Sequence, residues 1–428
     1  MSVHVPLFGA PVHVGAPTGR APLVCIDCRY LGPRPSGIGE TVQALVDHLP
    51  GLAPDLHFLL LRSKLRDTPL STAPNVVERV VGFPVNGPQT MWALPRLVDL
   101  SGVDVFHSPS NIMPAGLTMP CVTTIHDIMW LTNPAWCNDT AYGRIEAQFY
   151  RHGIGRALRR AAMIATVSTA SRNAIISYRP DVAARVRVTR SGVAADFTVL
   201  PAATRAQALP DQLRGRRYVL VVGQNAPYKN HDGAFAAFRL AFARRSDIDL
   251  VMVHRRDKRS DRLAEKVREA GLEHRVHVMG AIDRHTLVTL YNNAAALLHP
   301  SFCEGFGNPL AEAMACGCPV VASNVSAVPE VLADAGLMAD PHDSAALAAA
   351  LSAVVENPQI SGLLREAGLR RAAQLRWQDF AAGTLAIYRE VLARNRTGDT
   401  VRARTAPAVS PPVSPLDYAA RPTRRAAD

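Results

Sequence analysis

Short continuous apolar runs alternate along most of this chain with stretches whose apolar residues lie three or four apart. That is the pattern of buried strands joined by helices. The runs predict strands over residues 22–28, 56–61, 103–106, 121–125, 162–167 and 186–189. After the first of them, Ile38, Val42, Leu45, Val46 and Leu49 keep helical spacing. Between Gly192 and Arg216 the periodicity lapses into alanine, proline and polar residues. A second set then begins, with strands over 218–222, 248–253 and 275–279, a helix from His231, helices over 261–270 and 284–292, and another strand ending at Leu298. Further helices are predicted over 344–356, 360–373 and 377–394. Strands alternating with helices imply parallel sheets covered on both faces. The expected fold is therefore α/β, with one sheet domain over 21–200, a linker over 201–217 and a second sheet domain over 218–375. Residues 1–20, with Pro6, Gly9, Pro11, Gly15 and Pro17, read as an irregular extension, and 396–428, containing APAVSPPVSP and several arginines, as a disordered tail.

Composition narrows the setting. A chain of 428 residues exceeds one typical core. No apolar run approaches the roughly 20 residues a membrane span needs, and the start lacks the basic segment and apolar block of a signal peptide, so a cytoplasmic location is expected. The seven cysteines are odd in number and scattered, which favours buried, reduced thiols over a disulfide framework. Cys25 and Cys28 have C-x-x-C spacing without a second pair, and Cys316 and Cys318 have the wrong spacing for zinc. A net charge of +11 admits nucleic acid, an anionic membrane face or nucleotide phosphate as partners. No aromatic stacking platform or DNA-reading motif accompanies it, which argues against nucleic acid.

The chemistry gathers at predicted strand ends. In LLHPSFCEGFGNPLAEAMACGCPVVAS a strand closes at His299, a loop with two glycines follows, Asn308 before Pro309 reads as the cap of a helix ending at Gly317, and PVVAS starts the next buried strand. Such a helix start offers unpaired amides and positive dipole to a phosphate. The amides near Gly305, Phe306, Gly307 and Asn308 are placed to meet a diphosphate, with Glu304 and Glu312 on either side to accept hydroxyls. The alternative is an ordinary strand–helix–strand unit with two solvated acids. Gly37 and Gly39 open another helix, without a G-x-G-x-x-G run. His126 and Asp127 end the strand over 121–125, where parallel sheets bind ligands, although a histidine there is more often structural than catalytic. In VVGQNAPYKNHD a strand ends at Gly223, Gln224 follows, and Lys229 stands just before the next helix, as a phosphate charge or as one more surface lysine. Over 140–161, Arg144, Arg151, Arg156, Arg159 and Arg160 form either a solvated face or a contact with anionic lipid.

Together these residues resemble a family 4 glycosyltransferase of the GT-B fold, over roughly residues 22–394. Glu304, seven residues, then Glu312 is similar to that family's E-x(7)-E signature. SGIGE, HDIMWLTNPAW, VSTASRNAI, GQNAPYKNH and SNVSAVPEVLADAGLMADP agree with it in order. The resemblance implies two Rossmann-like domains facing a cleft, the first for the acceptor and the second for the nucleotide sugar, with the helix over 376–395 crossing back to the first. It implies a retaining, metal-independent hexosyltransferase that uses a GDP- or UDP-linked donor, with mannose as first choice, and a saccharide or lipid-linked saccharide acceptor. No bound cofactor is implied. Glu304 would hold the donor sugar, Glu312 the ribose, Lys229 the diphosphate, and His126 would lie beside the sugar. Gly37 and Gly39 would approach phosphate or acceptor. Peripheral contact with the inner face of the membrane is a further expectation. One departure stands out: where relatives carry an arginine near the phosphate lysine, this chain has Gln224 and Tyr228. A sugar-nucleotide epimerase or phosphorylase, or a non-catalytic sugar-nucleotide binder, are the alternative readings.

Overall fold

The computed structural model describes residues 20–32, 36–207, 209–254 and 258–396. The expected N-terminal extension, apart from Arg20, and the tail from residue 397 lie outside the described residues. The first sheet contains β1 (Leu23–Asp27), β2 (His57–Ser63), β3 (Val76–Val81), β4 (Val105–Ser108), β5 (Cys121–Thr124), β6 (Met163–Thr166) and β7 (Val186–Val188). Its spatial order is β3-β2-β1-β4-β5-β6-β7. The second contains β8 (Arg217–Val222), β9 (Ile248–Val253), β10 (Val276–Met279), β11 (Ala296–His299), β12 (Val320–Ser323) and β13 (Gly336–Ala339), in the order β10-β9-β8-β11-β12-β13. Every pairing is parallel, as between β1 and β4 and between β8 and β11.

Each sheet is buried on both faces because successive side chains point to opposite sides. In β1, Val24 and Ile26 enter one core while Cys25 enters the other. In β8, Val219 and Val221 face one layer and Tyr218 and Leu220 the opposite one. The two strands that periodicity did not predict, β3 and β13, are the outer ones on their edges and are largely half-buried. Glu78 and Arg79 interrupt β3, and β13 opens on Gly336, so neither reads as a continuous apolar run.

The chain crosses between the domains twice, and the two crossings are bonded together. Val193 N–H donates to the Leu375 carbonyl at 3.0 Å, and Gly192 lies so close to the backbone nitrogen of Trp377 that a Cβ there would clash. Residues 201–217, expected as a patternless linker, hold the helix Ala202–Gln207, and Leu209 and Leu213 are buried in the second domain's core. The last helix, Trp377–Arg396, lies against the first sheet, where Phe380, Ala381 and Tyr388 pack with Val24 and Ile26. Within that contact the Tyr388 hydroxyl meets His107 Nδ1 at 2.6 Å, and His107 Nε2 meets the Thr124 hydroxyl at 2.8 Å. Burial pushes the His107 pKa down to about 3, so this link is neutral and hydrogen-bonded.

Candidate active site in the interdomain cleft

The loops after β8 and β11 meet because those strands are neighbours. After β8 the turn Pro227–Lys229 ends on Asn230, whose left-handed backbone (φ 54°) starts the next helix. The Asn230 amide donates to the Pro300 and Pro341 carbonyls at 3.1 and 3.0 Å, and Phe302 N–H donates to the Tyr228 carbonyl at 2.8 Å. These bonds fasten one loop to the other and carry Lys229 to Glu304. Lys229 Nζ donates to Glu304 Oε1 at 2.6 Å, and the two side chains are only 9% and 7% exposed. His299, the last residue of β11, stands 2.9 Å from the same oxygen. A Cβ on Gly223 would lie 3.2 Å from the Lys229 stem, so that glycine makes room for the lysine. Burial opposes charge on Glu304, but the Lys229 ammonium and His299 outweigh it and hold the carboxyl down at about 2. Ser326, at φ 60°, clamps the same residue: its hydroxyl accepts from Glu304 N–H at 2.9 Å and donates to the Glu304 carbonyl at 2.6 Å.

The glycine loop does two different things. The cap of the helix Asn308–Ala315 is Gly307, in the left-handed region at φ 98°, and Asn308 is already helical. The helix therefore starts one residue earlier than the Asn-Pro pair suggests, with Gly307 rather than Asn308 as its cap, because glycine takes that left-handed turn without strain. Phe306 turns inward into the second domain's core. Gly305 faces the other domain: a Cβ there would collide with the His126 carbonyl oxygen. Opposite stands the helix Gly37–Leu52. A Cβ on its first residue would lie 3.3 Å from Asn308 Nδ2, so two helix N-termini confront each other across the cleft. The N–H of Gly39 is used within its own helix by the Ser36 hydroxyl at 3.0 Å.

His126 lies on the first domain's side. Its Nε2 is 3.0 Å from the Pro109 carbonyl, and its N–H donates to Asn111 at 2.7 Å. Burial lowers its pKa, so the ring is neutral. A carbonyl can only accept, so Nε2 carries the hydrogen and Nδ1 is left as an acceptor. Asp127 was not assigned a role from the sequence, yet it shares this strand end. Burial lifts its carboxyl to about 6, Glu304 adds to the rise and Lys229 opposes it, which puts it within the field of the opposite loop.

Glu312 is half-buried one helical turn further along. It accepts from the Tyr291 hydroxyl at 2.8 Å. Burial raises its carboxyl to about 7, against the Tyr291 bond, with Glu40 raising it and Arg284 lowering it; Arg284 itself pairs across the cleft with Glu40. A carboxyl raised above its usual 4.5 favours folding while protonated and loses that contribution as pH rises through about 7. Only the ionised form presents both oxygens purely as acceptors, whereas the protonated form turns one of them into a donor. On the expectation that Glu312 holds the ribose hydroxyls, donor KM falls as pH rises from 6 to 8, with a midpoint near 7, and the slope vanishes in Glu312→Gln. A pH-independent wild-type KM would contradict that role.

Gln224 Nε2 donates to the Tyr228 hydroxyl at 2.9 Å, and Lys229 Nζ lies 5.1 Å from the Tyr228 ring. Beside this loop, Arg259 donates to the Asn225 carbonyl at 2.9 Å and pairs with Asp139 of the first domain. His299 and Asp127 were legible as polar residues at strand ends. Ser326 and Arg259 carry no local signal. The cysteines are free, and Cys25, Cys28, Cys316 and Cys318 are buried. Among the described residues no group of three or more His, Cys, Asp or Glu is arranged to hold a metal ion, and no helix is long and apolar enough to cross a membrane.

Two family models match the chain, "Glycosyltransferase Family 4" over residues 35–197 and "Glycosyl transferases group 1" over residues 209–371. The chain is 32% identical over 303 residues to the O-antigen chain mannosyltransferase B of Escherichia coli, covering 70% of this chain and 76% of that one. Its fold is similar to sucrose-phosphate synthase from Thermosynechococcus elongatus, with a TM-score of 0.68 at 22% identity, over 87% of this chain and all of the other. It is also similar to Anabaena HepE, solved in complex with UDP and glucose, with a TM-score of 0.63 at 17% identity over 86% of this chain and all of the other. With two facing parallel-sheet domains and these matches over both, the chain belongs to the family 4, group 1 glycosyltransferases of the GT-B fold.

Proposed function

We propose that this glycosyltransferase moves mannose from a nucleotide-linked donor to a saccharide or lipid-linked saccharide, with retention of configuration and without an essential metal. The observation that carries the reading is the buried Lys229–Glu304–His299 cluster beside two facing helix N-termini. As the glycosidic bond breaks, the sugar becomes cationic and the diphosphate gains charge. An ammonium has three donors and Glu304 takes one, so Lys229 keeps others for the leaving phosphate. The helix amides near Gly305 and Asn308 and those opening at Gly37 add fixed positive dipole that needs no rearrangement during the reaction. Ionised Glu304 accepts donor-sugar hydroxyls, His126 Nδ1 accepts another from the opposite wall, and Glu312 takes the ribose. The departing phosphate oxygen then receives the acceptor's proton on the same face. Mannose is favoured by the mannosyltransferase relative, and a nucleoside diphosphate by the HepE complex; the donor is GDP- or UDP-linked. A panel of nucleotide sugars read by product mass tests the assignment.

Peripheral attachment to the inner membrane face belongs to the same proposal. The helix Ala141–Arg160 exposes Arg144, Arg151, Arg159 and Arg160, with Tyr142 and Ile145 more than 60% exposed. Arg156 does not join that face: it donates to the Met91 and Met113 carbonyls, both at 3.0 Å. Co-sedimentation with anionic vesicles should fall steeply between low and high salt. Binding that salt leaves unchanged would count against an electrostatic attachment.

A further inference from the structure

The first turn of the helix Thr169–Tyr178, in the first domain, is gripped by the second domain at two points. Ser168 caps it from its own side, accepting from Ser171 N–H at 3.0 Å. Glu330, in the helix Val328–Leu332 of the second domain, accepts from Thr169 N–H at 2.7 Å, Ala170 N–H at 3.2 Å and the Thr169 hydroxyl at 2.9 Å. A carboxylate on a helix N-terminus gains both charge-assisted hydrogen bonds and the dipole. Arg190, in the crossing segment, pairs with the same carboxylate at 3.0 Å. From behind, Arg371 donates to the backbone carbonyls of Glu330 and Val331 at 2.7 and 3.0 Å, which fixes the helix that presents the acid.

The second point of contact reaches the active site. The Ser171 hydroxyl is 2.8 Å from the His126 carbonyl and 3.2 Å from the Gly305 carbonyl. It has one proton to share between two acceptors, one in each domain. The same helical turn thus meets the second domain through Glu330 and the glycine loop through Ser171, and both bonds exist only while the domains are together.

We propose that Glu330 is a closure latch: a positioning residue whose carboxylate, seated on Thr169 and Ala170, holds the cleft shut so that Ser171 can register the Gly305 loop against His126. Glu330 touches no reacting atom. It sets the fraction of molecules in the arrangement that can bind the donor from both sides, and the apparent affinity of a donor falls with that fraction. The kinetic consequence rests on the transferase reading; the structural one does not.

Amide exchange resolved to single residues, on the full chain with and without GDP or UDP, reads the latch directly. In the wild type the Thr169 and Ala170 amides are expected to be protected, and more so with nucleoside diphosphate. In Glu330→Ala they should exchange roughly tenfold faster or more, with the rest of that helix unchanged and no further protection on adding nucleotide. kcat/KM for transfer should fall roughly tenfold to a hundredfold, and nucleoside diphosphate affinity should fall only by the smaller factor with which the nucleotide raises wild-type protection of these amides. Glu330→Gln keeps the shape and the acceptor oxygen but loses the charge, and should fall between the two. Wild-type exchange at Thr169 and Ala170 in either variant, or unchanged kcat/KM in Glu330→Ala, overturns the latch. If Glu330→Ala loosens the whole second domain, the Gln variant decides alone. A wild-type protein that turned over no donor would sink the transferase reading, and the exchange data would still judge the latch.

Discussion

Lys229→Ala is expected to abolish sugar transfer and to cost the fold about 3–5 kcal/mol, because it strands a buried carboxylate without its partner. Glu304 is 7% exposed and accepts from both Lys229 and His299. Its carboxyl, held at about 2 by those neighbours against the effect of burial, adds stability at neutral pH that is lost as pH falls from 4.5 toward 2. Without Lys229 the burial effect dominates and the pKa must rise. The stability deficit of Lys229→Ala should therefore be greatest at neutral pH and shrink in acid, once Glu304 takes up a proton. The double variant Lys229→Met with Glu304→Leu removes both charges and fills similar volume, and should recover most of the lost stability. It should remain inactive. Thermal unfolding and nucleotide release on the three proteins separate the two roles. A Lys229→Ala protein as stable as the wild type, or a double variant that turns over, would contradict the account of the pair.

Gly305→Ala is expected to lower kcat by roughly 100-fold or more, the scale on which a displacement of about 1 Å at reacting groups is felt. The methyl group would enter the space of the His126 carbonyl oxygen. The carbonyl oxygen is backbone and the position of a Cβ is fixed by backbone, so no side-chain rotation relieves the collision, and the loop after β11 must retreat from the first domain. The nucleoside diphosphate should still bind within severalfold of wild type, since Lys229 and the helix Asn308–Ala315 lie on the second domain. Calorimetric binding of GDP and UDP beside steady-state kinetics tests this split. Normal kcat in Gly305→Ala would show that the close approach plays no part in transfer.

The interior of the fold was legible because inner parallel strands are apolar on both faces, so β1, β5, β8 and β11 stand out as short runs between polar loops. The edge strands β3 and β13 were not, since half-buried edges admit residues such as Glu78 and Arg79. Glycines were legible as necessary, but not for what. Gly307 supplies a left-handed cap, Gly305 admits another domain's backbone, and Gly223 yields to a lysine stem; spacing alone does not distinguish these needs. Glu304 and Lys229 each stood out at a strand end. Their direct pairing depends on β8 lying beside β11, a fact of strand order that no local pattern carries. Arg259 and Glu330 act across the cleft, on Asp139 and on Thr169, and contacts between domains leave no periodicity in either segment.

The central claim is that the cluster around Glu304 grips a nucleotide-linked sugar for transfer with retention. Its most direct test offers the protein α-linked GDP-mannose with candidate saccharide acceptors, beside a UDP-sugar panel, and reads the product by mass and by the proton NMR signal of its new anomeric centre. The account predicts an acceptor heavier by one hexose, joined by an α linkage, and no such product from Glu304→Ala. A β-linked product, or equal yield from Glu304→Ala and the wild type, would contradict it.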